Sequence, residues 1–452
     1  MAKKAIQDFT QGALFKPMLL FAIPFMLSNA FQVLYSMTDM LIVGKFVGSA
    51  GISAVMTGGF LVMFIARIGM GMSTGGQVLI SQLIGKKELD KLPAAIGTLI
   101  SMNVIIAAVM SVFSIFGANW MLKLMDTPAE AFEPALAYLQ ICGGGIIFLY
   151  IYNVIAAILR GAGDSMRPFK FLVISAVLNV ILDLLLVAVF KWGVTGAAVA
   201  TVLSQAAAMV IALGCVYQCR EDFRFEFKLQ NFLCHREIVW VLLKLGVPFA
   251  VRFGAINVSM IFVASLINSL GVATSAAFGI ALRLDEFANK ISQGVMMAVS
   301  TIVGQNIGAG NFKRIRLGVC YAWAICGGFY LIYGLIMYFG NRELFAMFTN
   351  DEKVLSLAPV IVTALLLHYP ALLIMKGTNG FVQGIGNAWF GLIIALLDGL
   401  VCRVLFSWLL GIHLNMGLQG MVLGYALATY STALPNLFYF LFVPWHKRRT
   451  VI

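Results

Sequence analysis

Charge is what this sequence has least of. Only 11% of its 452 residues are charged and 61% are hydrophobic, whereas a soluble domain carries about a quarter charged residues. That shortage excludes an ordinary water-facing globule. Histidine is scarce as well, four in all. No HExxH, paired His or GxSxG occurs, so the chain is read as no enzyme, with neither metal nor organic cofactor. The seven cysteines (Cys142, Cys215, Cys219, Cys234, Cys320, Cys326 and Cys402) are scattered, mostly in apolar segments. None makes a CxxC or Cys/His zinc spacing, and they read as small buried hydrophobes. The alternating pattern of barrel strands is missing too, which leaves an all-α fold.

What the sequence has is long apolar runs, of the roughly 20 residues or more that span a bilayer as helix. Twelve are placed at about 16–43, 52–84, 94–117, 135–159, 168–190, 194–218, 237–267, 273–303, 313–340, 354–382, 388–411 and 417–444. The start, MAKKAIQDFTQGALFKP, shows no cleavage pattern, so the first span is retained.

The net charge of +12 points first to nucleic acid, but its placement points elsewhere. Twenty of the 31 basic residues fall on one face of the twelve-span plan. They are Lys3, Lys4, Lys16, Lys86, Lys87, Lys91, Arg160, Arg167, Lys170, Arg220, Arg224, Lys228, Arg236, Lys313, Arg314, Arg316, Lys376, Lys447, Arg448 and Arg449. The other face holds Lys45, Lys123, Lys191, Arg342 and Lys353 beside acids such as Asp126, Glu130, Glu133, Asp351 and Glu352. Basic loops stay in the cytoplasm, so both termini are expected there, in a multi-pass protein of the cell membrane with the lipid bilayer, not nucleic acid, as its partner.

The chain also repeats itself. Gln82 and Gly85 answer Gln305 and Gly308, and LRGAGDS from Leu159 answers VQGIGNA from Val382, all at a shift of 223 residues; IPF at Ile23 answers VPF at Val247. Six spans per repeat bring both halves in from the same face. The expectation is a pseudo-two-fold along the membrane normal and a cavity between two six-helix lobes, 1–218 and 237–452. Residues 219–236 form a charged linker, read as a cytoplasmic interfacial segment. A duplicated bundle split by a cleft is transporter architecture, and the protein is expected to act as a monomer.

Five acids lie inside spans: Asp39, Asp183, Asp285, Glu286 and Asp398. So do five bases, Arg67, Arg252, Arg283, Lys290 and Arg403. In LRLDEFANK, Glu286 has Arg283 three residues back and Lys290 four on, a helical spacing for self-neutralisation. Asp398 lies five residues from Arg403. These charges, with Asp285, read as a buried ion network that locks helices together, or as a gate that rearranges between states.

Asp39 and Asp183 differ. Neither has a Lys or Arg three or four residues away; Asp39 has Tyr35 one turn back and Asp183 has Asn179 one turn back. Hydroxyl and amide neighbours suit a carboxylate that exchanges a proton or small cation, because a fixed arginine would hold it ionised. His368 in LLLHYPALL is the one histidine deep in a span. It reads as a satisfied core histidine, or as a gate or substrate contact of the second lobe.

At these residues the sequence resembles the multidrug and toxic compound extrusion (MATE) family over nearly its whole length. The likeness rests on IPFMLSNAFQVLYSMTDMLIVGKFVGSAGISAV, ILRGAGDSMRPFKFLVISAVLNVILD, GVTGAAVATVLSQ and ALRLDEFANKISQGVMMAVSTIVGQNIGAGNFKRI. The resemblance implies export of amphipathic, often cationic organic compounds in exchange for inward H+ or Na+. It implies a coupling site of Asp39, Asn179, Asp183 and Thr201, with Tyr35 and Asn153 as support. Sodium-coupled members of another branch place acids on spans seven and ten. Here VPFAVRFGAINVSM and LHYPALLIMKGTNG carry none, which favours the first-lobe acids and protons. Met and Phe clusters, such as FLVMFIARIGMGM and GVMMAVS, suit a cavity that accepts several shapes. Arg67 and Arg252 argue against purely cationic cargo. The rival reading is a lipid-linked saccharide flippase of the same superfamily, which usually shows extra spans and a more cationic cavity.

Overall fold

The computed structural model describes residues 6–268, 270–447 and 450–451, without the side chains of Leu229, Phe253 to Ser259 and Ile261. Lys3, Lys4, Arg448 and Arg449, four of the basic residues behind the orientation reading, lie outside the described residues.

Among the described residues every regular element is helical. The first half contains α1 (Phe15–Phe46), α2 (Ser49–Lys86), α3 (Leu92–Leu124), α4 (Ala129–Gly144), α5 (Ile146–Gly161), α6 (Met166–Asp183) and α7 (Gly193–Gln218). The second contains α8 (Arg236–Asn268), α9 (Val272–Gly308), α10 (Phe312–Phe339), α11 (Asn341–Ala346), α12 (Glu352–Leu355), α13 (Ala358–Leu366) and α14 (His368–Gly384). It ends with α15 (Ala388–Leu396), α16 (Arg403–Trp408), α17 (Gly417–Ala428) and α18 (Tyr430–Phe442). Three π-helical stretches interrupt them, Leu184–Val189, Leu397–Cys402 and Leu409–His413. Among the described residues seven helical segments are long and apolar enough to cross a membrane, and two bent pairs, α4 with α5 and α12–α13 with α14, raise that to nine if each is one span. The long α8 and α9 and the α17–α18 pair fill the remaining expected spans.

The repeat is written in the backbone. Left-handed residues recur at Gly48 and Gly271, Lys87 and Gly310, and Gly163 and Gly386, each pair 223 residues apart. Lys191 and Asn415, and Gly193 and Gly417, follow at 224. The repeated LRGAGDS and VQGIGNA motifs also do the same packing job. A Cβ on Gly161 would stand 2.9 Å from the Gln77 carbonyl, and one on Gly384 2.6 Å from the Ser300 carbonyl. Glycine at each lets α5 reach the backbone of α2, and α14 that of α9.

The described residues form two compact units, one of residues 6–8 and Leu27–Ala250, the other of Phe9–Met26 and the described residues from Val251 on. The units therefore do not coincide with a cut at 219–236. Each boundary inside a long helix falls two residues past a proline, Pro24 in α1 and Pro248 in α8, where a backbone hydrogen bond is missing in any case. In the second unit the extended Phe9–Gly12 stretch is clamped. Phe9 N–H donates to Gln305 Oε1 at 2.9 Å, and the Arg314 guanidinium donates to the carbonyls of Phe9, Gln11 and Gly12.

The linker is more than an interfacial strip. Phe223 and Phe225 are fully buried, Ser101 donates to the Phe232 carbonyl at 2.6 Å, and His235 N–H donates to Thr98 at 3.2 Å. A Cβ on Gly97 would lie 1.6 Å from the Asn231 carbonyl oxygen. Gly97→Ala is therefore expected to push the linker off α3 at a cost of about 1–3 kcal/mol, the usual scale of overpacking. Faster trypsin cleavage at Arg220 to Arg236 in the folded protein would show it; unchanged cleavage and melting would refute the contact.

Candidate functional site

Helix α6 is built inside out. Val177, Ile181 and Leu184 on one face are exposed, while Asn179 and Asp183, one turn apart on another, are buried, Asp183 completely. In a bilayer this is the expected arrangement, with apolar side chains meeting lipid and polar ones turned into the bundle. Directly after Asp183 the chain opens into the π-turn Leu184–Val189, a distortion that recurs at functional sites.

Four of the expected residues meet here. Asp39 of α1, half-buried, adjoins Asp183 of α6, and each carboxyl acts on the other. Tyr35 stands one turn before Asp39 and feels both carboxyls, with its phenol in hydrogen-bonding reach of the Thr201 hydroxyl on α7. Thr201 itself donates to the Ala197 carbonyl at 2.9 Å. Asn179 is beside the pair along α6, and neither its amide nitrogen nor its oxygen has a hydrogen-bond partner among the described residues. Asn153 on α5 is half-buried, and no described contact joins it to the carboxyls.

The electrostatics of the pair follow from what reaches it. Among the described residues no Lys or Arg forms an ion pair with Asp39 or Asp183. Among the described residues no donor satisfies either oxygen of Asp183, or Oδ1 of Asp39. The partner within reach of each carboxyl is the other, and a hydrogen bond between two carboxyls requires a proton on one of them. Two ionised carboxylates so placed would repel, and a shared proton removes that repulsion.

The second unit brings together residues that the sequence left apart. Asp285 does not join the triad of its neighbour Glu286. That triad forms as spaced, with Glu286 3.7 Å from Arg283 and 3.2 Å from Lys290, all partly exposed. Asp285, one residue earlier and so rotated about the helix, is buried. It receives the Tyr425 hydroxyl at 3.0 Å and faces His368 Nδ1 at 3.3 Å, while His368 Nε2 meets the Thr429 hydroxyl at 2.9 Å. Arg403 grips Asp398 with one nitrogen at 3.2 and 3.1 Å from the two carboxylate oxygens, and Thr432 donates to the same carboxylate at 3.2 Å. The Arg403 guanidinium also covers the Tyr425 ring at 5.0 Å, so the two acid sites share one network. Tyr425, Thr429 and Thr432 lie in a stretch, GYALATYSTALP, that gave no periodic charge signal.

Lys376 corrects the loop-charge reading. It is not a cytoplasmic loop residue but sits inside α14, 3% exposed. Its ammonium contacts the Asn289 side-chain oxygen and lies 3.2 Å from the Asn289 carbonyl.

The comparisons agree with this architecture. The MatE family profile matches twice, over residues 24–185 and 248–409, and the chain belongs to that family of membrane transporters. "Probable multidrug resistance protein YpnP" of Bacillus subtilis is 29% identical over 442 residues, 97% of each chain. "Multidrug export protein MepA" of Staphylococcus saprophyticus is 24% identical, over 89% of this chain and 88% of its own. Among solved structures, an outward-facing "multidrug resistance MATE family transporter of the MOP superfamily" superposes with a TM-score of 0.91 at 22% identity, over 99% of this chain and 100% of that one. A MOP superfamily transporter from Pyrococcus furiosus gives 0.89 at 23% identity, over 97% and 98%.

Proposed function

We propose that the chain is a secondary multidrug antiporter of the cell membrane, with both termini in the cytoplasm. It exports amphipathic, often cationic organic compounds in exchange for protons that enter through Asp39 and Asp183. One observation carries the ion: two adjoining carboxyls with no basic ion-pair partner and, for either oxygen of Asp183, no hydrogen-bond donor among the described residues, a setting in which a shared proton is the group that relieves their repulsion. Protons arriving from outside neutralise the pair. Loss of that charge removes the repulsion between α1 and α6 and favours the packing that releases cargo. Discharge of the proton to the cytoplasm restores the charge. The gradient does work only through the different proton affinities of the two packings.

Sodium is the second reading, because the unpartnered amide oxygen of Asn179 could complete an oxygen set with the two carboxylates. Purified protein in liposomes, given a proton gradient or a sodium gradient separately, decides between them. Ethidium efflux is expected under the proton gradient and not under sodium alone. Efflux driven by sodium alone would replace the proton, and efflux under neither would refute antiport.

A further inference from the structure

His368 takes no part in the exchange proposed for Asp39 and Asp183, yet its surroundings in unit 2 are built around one short gap. Nδ1 of His368 lies 3.3 Å from Oδ1 of Asp285, and neither atom has a hydrogen-bond partner among the described residues. Both side chains are only 2% exposed, so bulk water does not fill the gap. The outer atoms are satisfied: Asp285 Oδ2 accepts from Tyr425 at 3.0 Å, and His368 Nε2 meets the Thr429 hydroxyl at 2.9 Å. A proton on Nδ1 turns two facing acceptors into a hydrogen bond. With Nε2 protonated as well, the ring is an imidazolium that neutralises the carboxylate and donates to Thr429. An ionised carboxylate in a dry interior needs such a partner.

The groups around the ring are engaged elsewhere. Tyr425 of α17 meets it edge-on, ring centroids 5.2 Å apart. Arg403 acts on Asp285 from beyond Tyr425 but is gripped by Asp398. On α10, Tyr330 and Tyr333 pack against Tyr369; Tyr330 bonds Ser292 at 2.6 Å and Tyr333 the Leu284 carbonyl at 2.7 Å. Tyr430 of α18 donates to the Leu367 carbonyl at 3.0 Å. Lys376, about two turns along α14, acts on Asp285 through space while its ammonium contacts Asn289. Helices α13 and α15 bring no titratable side chain. Among the described residues the one ion-pair neighbour of Asp285 is His368. At the repeat shift of 223 residues, Asp285 and His368 answer Val62 and Gly145, so unit 1 holds no copy of the pair.

We propose that His368 and Asp285 form a second proton-binding site, within unit 2 and separate from the carboxyl pair of unit 1. The inference rests on the reading of the chain as a proton antiporter. With the proton bound, the ring fastens α14 to α9 and α17. Its departure leaves two acceptors facing each other and loosens that junction, so cargo that favours the looser packing expels the proton.

The test is imidazole nitrogen NMR of the purified full-length protein carrying isotope-labelled histidine. The chain has four histidines, and the signals of His368 are those lost in His368→Gln. They are expected to titrate between about pH 5 and 8, with both ring nitrogens protonated at the acid end. Asp285→Asn should lower the midpoint by at least about one pH unit, because it removes the charge that favours imidazolium. Tyr425→Phe, which takes a donor from Asp285 and keeps the ring, should raise it; opposite shifts separate the pair from a general loosening of the fold. Saturating ethidium should lower the wild-type midpoint. A ring that keeps one protonation state across that range would overturn the inference, as would a midpoint unmoved by Asp285→Asn or by ethidium, or shifted the same way by both variants. Asp183→Asn should leave the titration in place, and its loss there would merge the two sites into one and sink the separation. Wild type that titrates at His368 but shows no proton-driven efflux would refute antiport, and with it the place of this site in transport, while leaving the proton-binding pair itself established.

Discussion

Asp183→Asn is expected to reduce proton-driven ethidium efflux to the level of empty liposomes while leaving the protein folded. Asparagine has nearly the shape of aspartate and fits the same buried position, but it cannot gain or lose the charge on which coupling depends. To move a two-state equilibrium from one extreme to the other takes a differential of about 5.5 kcal/mol, and a ligand with equal affinity for both states shifts nothing. Without a titratable Asp183, the gradient has no such differential to act on. Asp39→Asn should behave alike, since each carboxyl is the other's partner. The double variant should be no worse than either single one, because the two act as one proton-binding unit. Thermal unfolding should change little, as removal of a buried charge also removes its desolvation cost. Retained proton-driven efflux in both single variants would move the coupling site elsewhere. Loss of ethidium binding with intact proton dependence would make these residues a cargo site.

Arg403→Ala carries the largest expected loss of stability. Asp398 is 5% exposed and Arg403 7% exposed, so truncating the arginine leaves a carboxylate in a dry interior with Thr432 as its one remaining donor among the described residues. Breaking a buried pair in this way costs about 3–5 kcal/mol, whereas replacing both partners by apolar residues is often neutral or better. For a unit of this size the midpoint should fall by roughly 6–20 °C. Asp398→Leu combined with Arg403→Met should recover most of it. Differential scanning fluorimetry of the purified protein checks both. An Arg403→Ala protein that melts with wild type would show that water reaches the pair. The double variant also separates a lock from a gate: a static lock leaves efflux near the wild-type rate, and a gate that must open and close loses it.

Much of this was legible from sequence because the bilayer makes it so. Apolar length marked seven to nine of the expected spans, helix being the way an isolated segment satisfies its own backbone in lipid. The repeat was visible in Gln82 and Gln305, and in the glycines of LRGAGDS and VQGIGNA, since a close approach of two helices tolerates little else. The i, i+3 and i, i+4 spacing gave the Arg283–Glu286–Lys290 triad directly. The isolation of Asp39 and Asp183 from bases on their own helices could be read as well.

Tertiary structure decided what one helix cannot show. The meeting of α1, α6 and α7 put Tyr35 beside the two acids and Thr201 within reach of Tyr35, which the chain alone could not show because side-chain partners across helices have no fixed spacing along it. The turn of one residue between Glu286 and Asp285, about 100° around α9, sent one to a partly exposed triad and the other to His368 and Tyr425. Lys376, counted among basic loops by its position, proved to be buried. Charge order along the chain is a property of sequence, but only packing decides which charge is buried and which faces water.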